Sequence, residues 1–239
     1  TTWNQTSNHR RYFQIIDGRK FYGRFHAVTV SGLKKATRYQ YRIVGKPIAD
    51  DSNPYAYSYD AERVATKVHT VKTLDASAAE CYFSEINDIH SQADRYKALV
   101  SGMNLEKTDF LLLNGDMVSF SNSFDTLIKH TFDPISDVSG DIPIFFARGN
   151  HEGRGTDWYR LREAFPTSTG KYYYTFRQGP VGFIVLDGGE DKPDTDPEYS
   201  DQAAYDQYRA EELNWLKAAV KSPEIASAPV KICIIHIPA

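Results

Sequence analysis

Two rhythms of apolar and polar positions divide the chain. Between Tyr12 and Thr73 they alternate, in "KFYGRFHAVTV", "TRYQYRIVG" and "RVATKVHTVKT". Period-two alternation with β-branched and aromatic residues predicts half-buried antiparallel strands. Three or four such strands are too few for a complete sandwich. "SGLKKATRYQ" and "PIADDSNPYAYSYD" read as loops between them. "LDASAAE", Leu74 to Glu80, reads as a linker. The expected boundary follows: a small β module over 1–75 and a larger domain over 76–239.

Beyond the linker, strands and helices take turns. "CYFSEIND", "DFLLLNGDM", "IPIFFARGNHE" and "PVKICIIHIPA" predict buried strands. "SQADRYKALVSGMNLE" has helical spacing, with Ser91 as its expected N-cap. "SFDTLIKHTFDPISD" and "DWYRLREAFP" also read as helices, the latter closed by Pro166, and "SDQAAYDQYRAEELNWLKAAVKS" is the clearest helix. "GKYYYTFRQGPVGFIVLDGGEDK" predicts a hairpin with "QGP" in its turn. Alternating elements of this kind imply a layered α/β domain.

Composition narrows the function classes. Across 239 residues the net charge is -3, so no basic nucleic-acid footprint is present. No apolar run reaches the roughly 20 residues of a membrane span. With 16 Tyr and 13 Phe, a strand-rich core is favoured. Cys81 and Cys233 each sit in a strand-like apolar run and are expected as buried free thiols; a disulfide needs the two strands to be neighbours.

The chemistry collects where the predicted strands stop. "NDIH" supplies Asp88 and His90, "NGDM" supplies Asp116, "GNHE" supplies Asn150, His151 and Glu152, and "IIHIP" supplies His236. Asp88 and Asp116 are 28 residues apart, Asp116 and Asn150 34 apart, which suits βαβ units of about 30 residues. In open α/β sheets functional groups gather beyond the carboxyl ends of the strands. Asp, His and Asn without Cys make an oxygen- and nitrogen-rich site for Mn, Fe, Zn or Co. Two such ions can clamp a displacement at phosphorus. Arg148 and Arg154 flank the third motif; each is read first as a solvated charge, with contact to an anionic substrate as the alternative. "GGEDKPDTDPEYSD" reads as a solvated acidic loop, and Tyr172, Tyr173 and Tyr174 as strand packing. His9, His26, His69 and His130 lack supporting neighbours and read as surface or structural.

These four motifs, in this order, resemble the calcineurin-like metallophosphoesterase superfamily, over roughly Glu80 to Ala239. "GKYYYTFRQGPVGFIVLDGGEDK" and "EELNWLKAAV" are similar to its purple-acid-phosphatase-like branch. "HAVTVSGLKKATRYQYRI" is similar to the end of the fibronectin-like module that often precedes that domain. The resemblance implies two sheets flanked by helices, two divalent metal ions, and hydrolysis of phosphate mono- or diesters by attack of a metal-bridging hydroxide. It implies Asp88 and His90 on one metal, Asp116 between both, and Asn150 and His236 on the other. His151 would face the scissile ester, and Glu152 would orient His151. Export to a periplasmic or extracellular space is implied only through the amino-terminal module.

The chain departs from that family in two places. Purple acid phosphatases carry a Tyr three residues after the bridging Asp; here Ser119 holds that position, so divalent metals without a tyrosinate-to-iron colour are expected. The superfamily also ends its site with a Gly-His-X-His motif, yet none of the seven histidines follows His236. A truncated chain is the expectation drawn from this. The competing functional reading is a non-catalytic binding or scaffold protein on the same fold. A third is a site completed by a partner chain.

Overall fold

Phe110, Leu111, Leu112 and Leu113 are all fully buried. The reason is that their strand, Phe110–Asn114, is the middle of a three-stranded parallel sheet with Phe83–Ile86 on one side and Ile144–Ala147 on the other. The computed structural model that shows this describes residues 2–4, 10–53, 55–60 and 62–238.

Period-two alternation sends Leu111 and Leu113 to one face of that sheet and Phe110 and Leu112 to the other. The first face packs with Tyr96, Val100, Leu127 and Ile135 from the crossover segments. Those segments carry the helices Ala93–Ser101 and Phe124–Thr131 and the 3-10 turn Asp133–Ile135. The second face meets a second sheet. There Tyr174–Gln178 pairs antiparallel with Val181–Val185, which pairs parallel with Val230–Ile234. Phe110 is the centre of the seam: it stacks on Phe83 at 5.3 Å and meets Phe145, Phe176 and Phe183 edge-on at 5.2 Å. The helices Tyr205–Ala219 and Pro223–Ala226 follow the hairpin, and Ile225 packs onto Gly182 of the second sheet. The result is the expected α/β arrangement of sheets flanked by helices.

Several local expectations are corrected. Ser91 does not cap the first helix; Gln92 holds that position without a side-chain bond, and the Ser91 hydroxyl instead accepts the Ser119 N–H at 3.1 Å. Ser123 does cap the second helix, accepting the Thr126 N–H. "DWYRLREAFP" yields only a 3-10 turn, Trp158–Arg160, and one α turn, Leu161–Ala164. Pro166 disfavours helical geometry at the residue before it, and Phe165 leaves the helix with ψ 70°. Val230–Ile234 is not a strand buried on both sides. Among the described residues it pairs on one edge only, and Val230 and Cys233 are exposed. Both cysteines are free.

Among the described residues the amino-terminal strands are antiparallel but form five separate two-stranded pairs. The expected half-buried faces are not found: among described residues 10–73 only His69 is buried. The segment docks on the rest of the chain through Phe25, whose ring packs on the main core and meets Phe124 edge-on at 4.6 Å, and through polar contacts. Tyr41 Oη donates to the Gly140 carbonyl at 2.6 Å, and the Thr70 N–H donates to Asp141 Oδ1 at 2.8 Å. The expected linker is tied down as well. Asp75 donates its N–H to Gln178 Oε1 and accepts the Gly179 N–H, both at 2.8 Å. No helix among the described residues is long and apolar enough to cross a membrane.

Because Phe110 joins both sheets, Phe110→Ala should destabilise the protein by about 3–5 kcal/mol, the usual range for emptying a buried Phe site. Urea unfolding followed by fluorescence checks this; a loss under about 1 kcal/mol would contradict the central role given to that ring.

Candidate metal centre

The first two strands of the parallel sheet continue to pair after they stop being strands. Asp88 donates its N–H to the Gly115 carbonyl at 3.1 Å, His90 to the Asp116 carbonyl at 2.9 Å, and Ser91 to the Met117 carbonyl at 3.0 Å. To do so the chain enters the left-handed region at Asp88 (φ 53°), His90 (φ 49°), Ser91 (φ 62°) and Asp116 (φ 54°). Each such residue costs on the order of 1–2 kcal/mol for an L-amino acid. The three hydrogen bonds between the loops offset part of that cost. Strain concentrated in this way is a mark of functional sites.

Glu152 fixes the third motif onto the second. Its fully buried carboxylate accepts the N–H groups of Asp116 (2.8 Å), Met117 (2.7 Å), Val118 (3.4 Å) and Gly149 (2.9 Å). Burial pushes its carboxyl above the ordinary value, against the pull of these N–H groups. This corrects the expected role of Glu152. Its oxygens are spent on backbone, and the His151 ring finds a different partner: Nδ1 lies 2.8 Å from the Ser119 carbonyl. A carbonyl can only accept, so Nδ1 carries the proton and Nε2 faces the site.

Asp116 is the hub. Its buried carboxylate oxygen Oδ2 lies 3.3 Å from His236 Nε2, 3.7 Å from His90 Nε2 and 4.0 Å from His151 Nε2. Its Oδ1 accepts the His151 N–H at 3.0 Å. Asp88 Oδ1 stands 3.5 Å from His90 Nε2. With its amide nitrogen turned toward the carboxylate, Asn150 donates to Asp116 Oδ2 at 3.2 Å. Burial opposes ionisation of Asp116, yet His236 and the His151 N–H hold its carboxyl below the usual range. Burial likewise opposes protonation of His236, but Asp116 and the Asn114 carbonyl push it up to about 9. That carbonyl accepts from His236 Nδ1 at 2.7 Å, which leaves Nε2 toward Asp116.

Two glycines make this closeness possible. A Cβ on Gly115, whose φ is +80°, would lie 2.6 Å from the His236 ring. A Cβ on Gly149 would collide with the Asp116 carboxylate.

All seven residues singled out in the sequence thus lie at one place, from four strand ends. Asp116 belongs to two close groups of carboxylate and imidazole donors. Ligand atoms within metal-holding distance of one another occur as His90, Asp116 and His151, and as Asp88, Asp116 and His236. His151 reaches the same carboxylate as the expected ligands, and Asp88 sides with His236 as well as with His90. The ring of His90 meets that of His151 edge-on at 4.6 Å, and the exposed Phe120 ring lies 6.0 Å from His151.

The two flanking arginines are not solvated charges. Arg148 is buried behind the motif, its Nε 3.1 Å from Asp187 Oδ1 and its Nη2 2.9 Å from Asp187 Oδ2. Tyr208 Oη donates to the same carboxylate, and Glu212, pushed up to about 7 by burial, accepts the Asp187 N–H. Arg154 is held by Glu190 at the site itself. Asp187 and Glu190 both follow the Val181–Val185 strand, and Glu190 lies in the "GGEDKPDTDPEYSD" run expected as a solvated loop. The rule that marked the other motifs, polar residues just after a buried strand, marks these two as well.

Donors of this kind around one carboxylate make a candidate metal centre on a two-sheet α/β scaffold. The chain belongs to the calcineurin-like phosphoesterase family, whose model matches residues 84–239. The structure is similar to that of a purple acid phosphatase from yellow lupin (Lupinus luteus) seeds, at 13% identity and a TM-score of 0.59, over 86% of this chain and 37% of that one. It is also matched to PhoD at 16% identity and a TM-score of 0.46, over 84% of this chain and 48% of that one. The chain therefore spans less than half the length of either. No curated protein sequence matches it.

Replacing the Glu152 carboxylate by an amide removes charge-assisted hydrogen bonds and turns an N–H donor onto other donors. Glu152→Gln should lower unfolding free energy by about 2–3 kcal/mol. Denaturant melts test this; an unchanged midpoint would show that the loops do not depend on that carboxylate.

Proposed function

We propose that the protein is a dinuclear-metal phosphoesterase acting on phosphate mono- or diesters. The observation that supports it most is the buried Asp116 carboxylate, faced by three imidazole nitrogens at 3.3–4.0 Å and adjoined by Asp88 and Asn150. A donor set of carboxylates, imidazoles and one amide suits divalent Mn, Fe, Zn or Co. The fit is supported by His236, whose Nδ1 is committed to a backbone carbonyl, leaving Nε2 as the ligand atom.

In this reading Asp88 and His90 would hold one ion, His236 and Asn150, with its amide oxygen turned inward, the other, and Asp116 both. Metal ions held there would supply positive charge for the developing oxyanion and an activated water. His151 does the remaining work. Ser119 holds its Nδ1 proton, so Nε2 is the atom presented to the ester, and a proton carried there passes to the leaving oxygen. The left-handed backbone at Asp88, His90 and Asp116 sets these groups before substrate arrives. Residues 1–75 are read as part of a fibronectin-like module.

Loaded with Mn or Zn, the protein should hydrolyse an aryl phosphate and retain about two ions per chain. Asp116→Asn removes the charge shared by both ions and should cut turnover about a thousandfold or more, a loss of some 4 kcal/mol of transition-state stabilisation. Undiminished turnover in that variant would sink the mechanism. A protein that takes up no metal and cleaves no ester would instead be a scaffold.

A further inference from the structure

Arg154 occupies a position that the metal ligands and His151 do not account for. Its guanidinium is gripped from one side: Nε lies 3.0 Å from Glu190 Oε1 and Nη2 2.7 Å from Glu190 Oε2. Nη2 also reaches Asp191 Oδ1 at 3.3 Å. Glu190 is itself nearly enclosed, with 3% of its side chain exposed, and accepts from Tyr199 Oη at 3.3 Å. Among the described residues Nη1 touches no carboxylate. It points to His151 Nε2 at 3.4 Å, the same ring nitrogen that stands 4.0 Å from Asp116.

The backbone of Arg154 is held independently of its side chain. Its carbonyl accepts the Ser121 N–H at 2.7 Å, and its N–H donates to the His151 carbonyl at 3.2 Å. The side chain is therefore not needed to fix the loop. A guanidinium carries five N–H groups in a rigid fork. Here most of the fork is anchored and one amino end is left beside the atom that meets the ester. An anchored donor loses little freedom when it binds.

We propose that Arg154 is a substrate-positioning residue whose Nη1 donates to a non-bridging phosphoryl oxygen, with Glu190 as the anchor that aims it, and that it biases the site toward phosphate monoesters. The proposal rests on the phosphoesterase reading above. The bias follows from counting acceptors. A monoester offers three non-bridging oxygens and a diester two. With each of two bound ions taking one oxygen, the monoester would retain a third for an added donor. Paired with Glu190 and Asp191, Arg154 contributes a directed hydrogen bond rather than a free positive charge.

The test compares the metal-loaded protein with Glu190→Gln and with the double variant Arg154→Met, Glu190→Gln, which removes both charges so that neither is left buried alone. Inorganic phosphate binding is measured by calorimetry, and kcat and KM for an aryl monoester and a bis-aryl diester. The double variant should bind phosphate about ten- to a hundredfold more weakly, the size of a lost charge-assisted hydrogen bond. Its kcat/KM should fall as far for the monoester and less than about threefold for the diester, with metal content unchanged. Glu190→Gln alone should fall between. Unaltered phosphate affinity, or equal losses on both esters, would overturn the role. A parent protein that cleaves neither ester would sink the phosphoesterase reading, while phosphate calorimetry on the double variant would still decide Arg154.

Discussion

The Glu152 carboxylate is the constraint on which the site rests. Four backbone N–H groups, from two loops that lie 36 residues apart at Asp116 and Glu152, converge on two oxygens with no exposure to water. Backbone donors at a strand end have no ladder partner and must find one. A carboxylate solves this for both loops at once, and its charge makes each bond stronger than an amide's. Its position then dictates the rest. Because Gly149 and Asp116 share one oxygen of Glu152, Asn150 and His151 are carried to the Asp116 side chain, and the His151 N–H bonds to it.

Holding the loops this closely requires backbone that most residues resist. Asp88, His90, Ser91 and Asp116 all have positive φ, and the loops they belong to are joined by three hydrogen bonds just beyond the parallel sheet. The sheet thus does more than carry the site. Its pairing extends past the strands and turns the two loops into a rigid edge, with Asp88 and Asp116 facing one place. The aromatic seam around Phe110 keeps that sheet fixed against the second one, which delivers His236 from its outermost strand.

Much of this was legible in the sequence, for a definite reason. A strand buried on both faces must be apolar throughout, so polar residues at its end stand out, and "FLLLNGD" and "IFFARGNHE" announce both the strand and the site. What was not legible depended on pairing. Glu152 reads as a companion of its neighbour His151, because sequence shows adjacency and not direction; in the fold its carboxylate points back to other loops' backbone while Ser119 takes the imidazole. Ser91 before a helical run reads as a cap, yet its hydroxyl serves the Ser119 N–H across a gap of 28 residues. The edge strand Val230–Ile234 has the apolar content of a central one, and only the count of its neighbours separates the two. The amino-terminal strands alternate well, but alternation specifies a buried face only where something covers it.

Arg148 and Arg154 show how the same residue type, six positions apart, is put to opposite uses by the fold. Both bind a carboxylate from the end of the Val181–Val185 strand through a two-point grip. Arg148 precedes the turn, so its side chain runs inward among Tyr172, Tyr205 and Tyr208, where no substrate can reach it. Arg154 follows the turn and emerges on the side of His151, with Nη1 left toward the site. An ion pair buried like the first is kept because breaking it would leave a charge without water or partner. The second pair has a further consequence. By neutralising Arg154, Glu190 and Asp191 remove its general attraction for anions, so whatever it contributes to binding must come from direction. A donor of that kind discriminates by the number and placement of acceptors on its ligand, not by the ligand's charge alone.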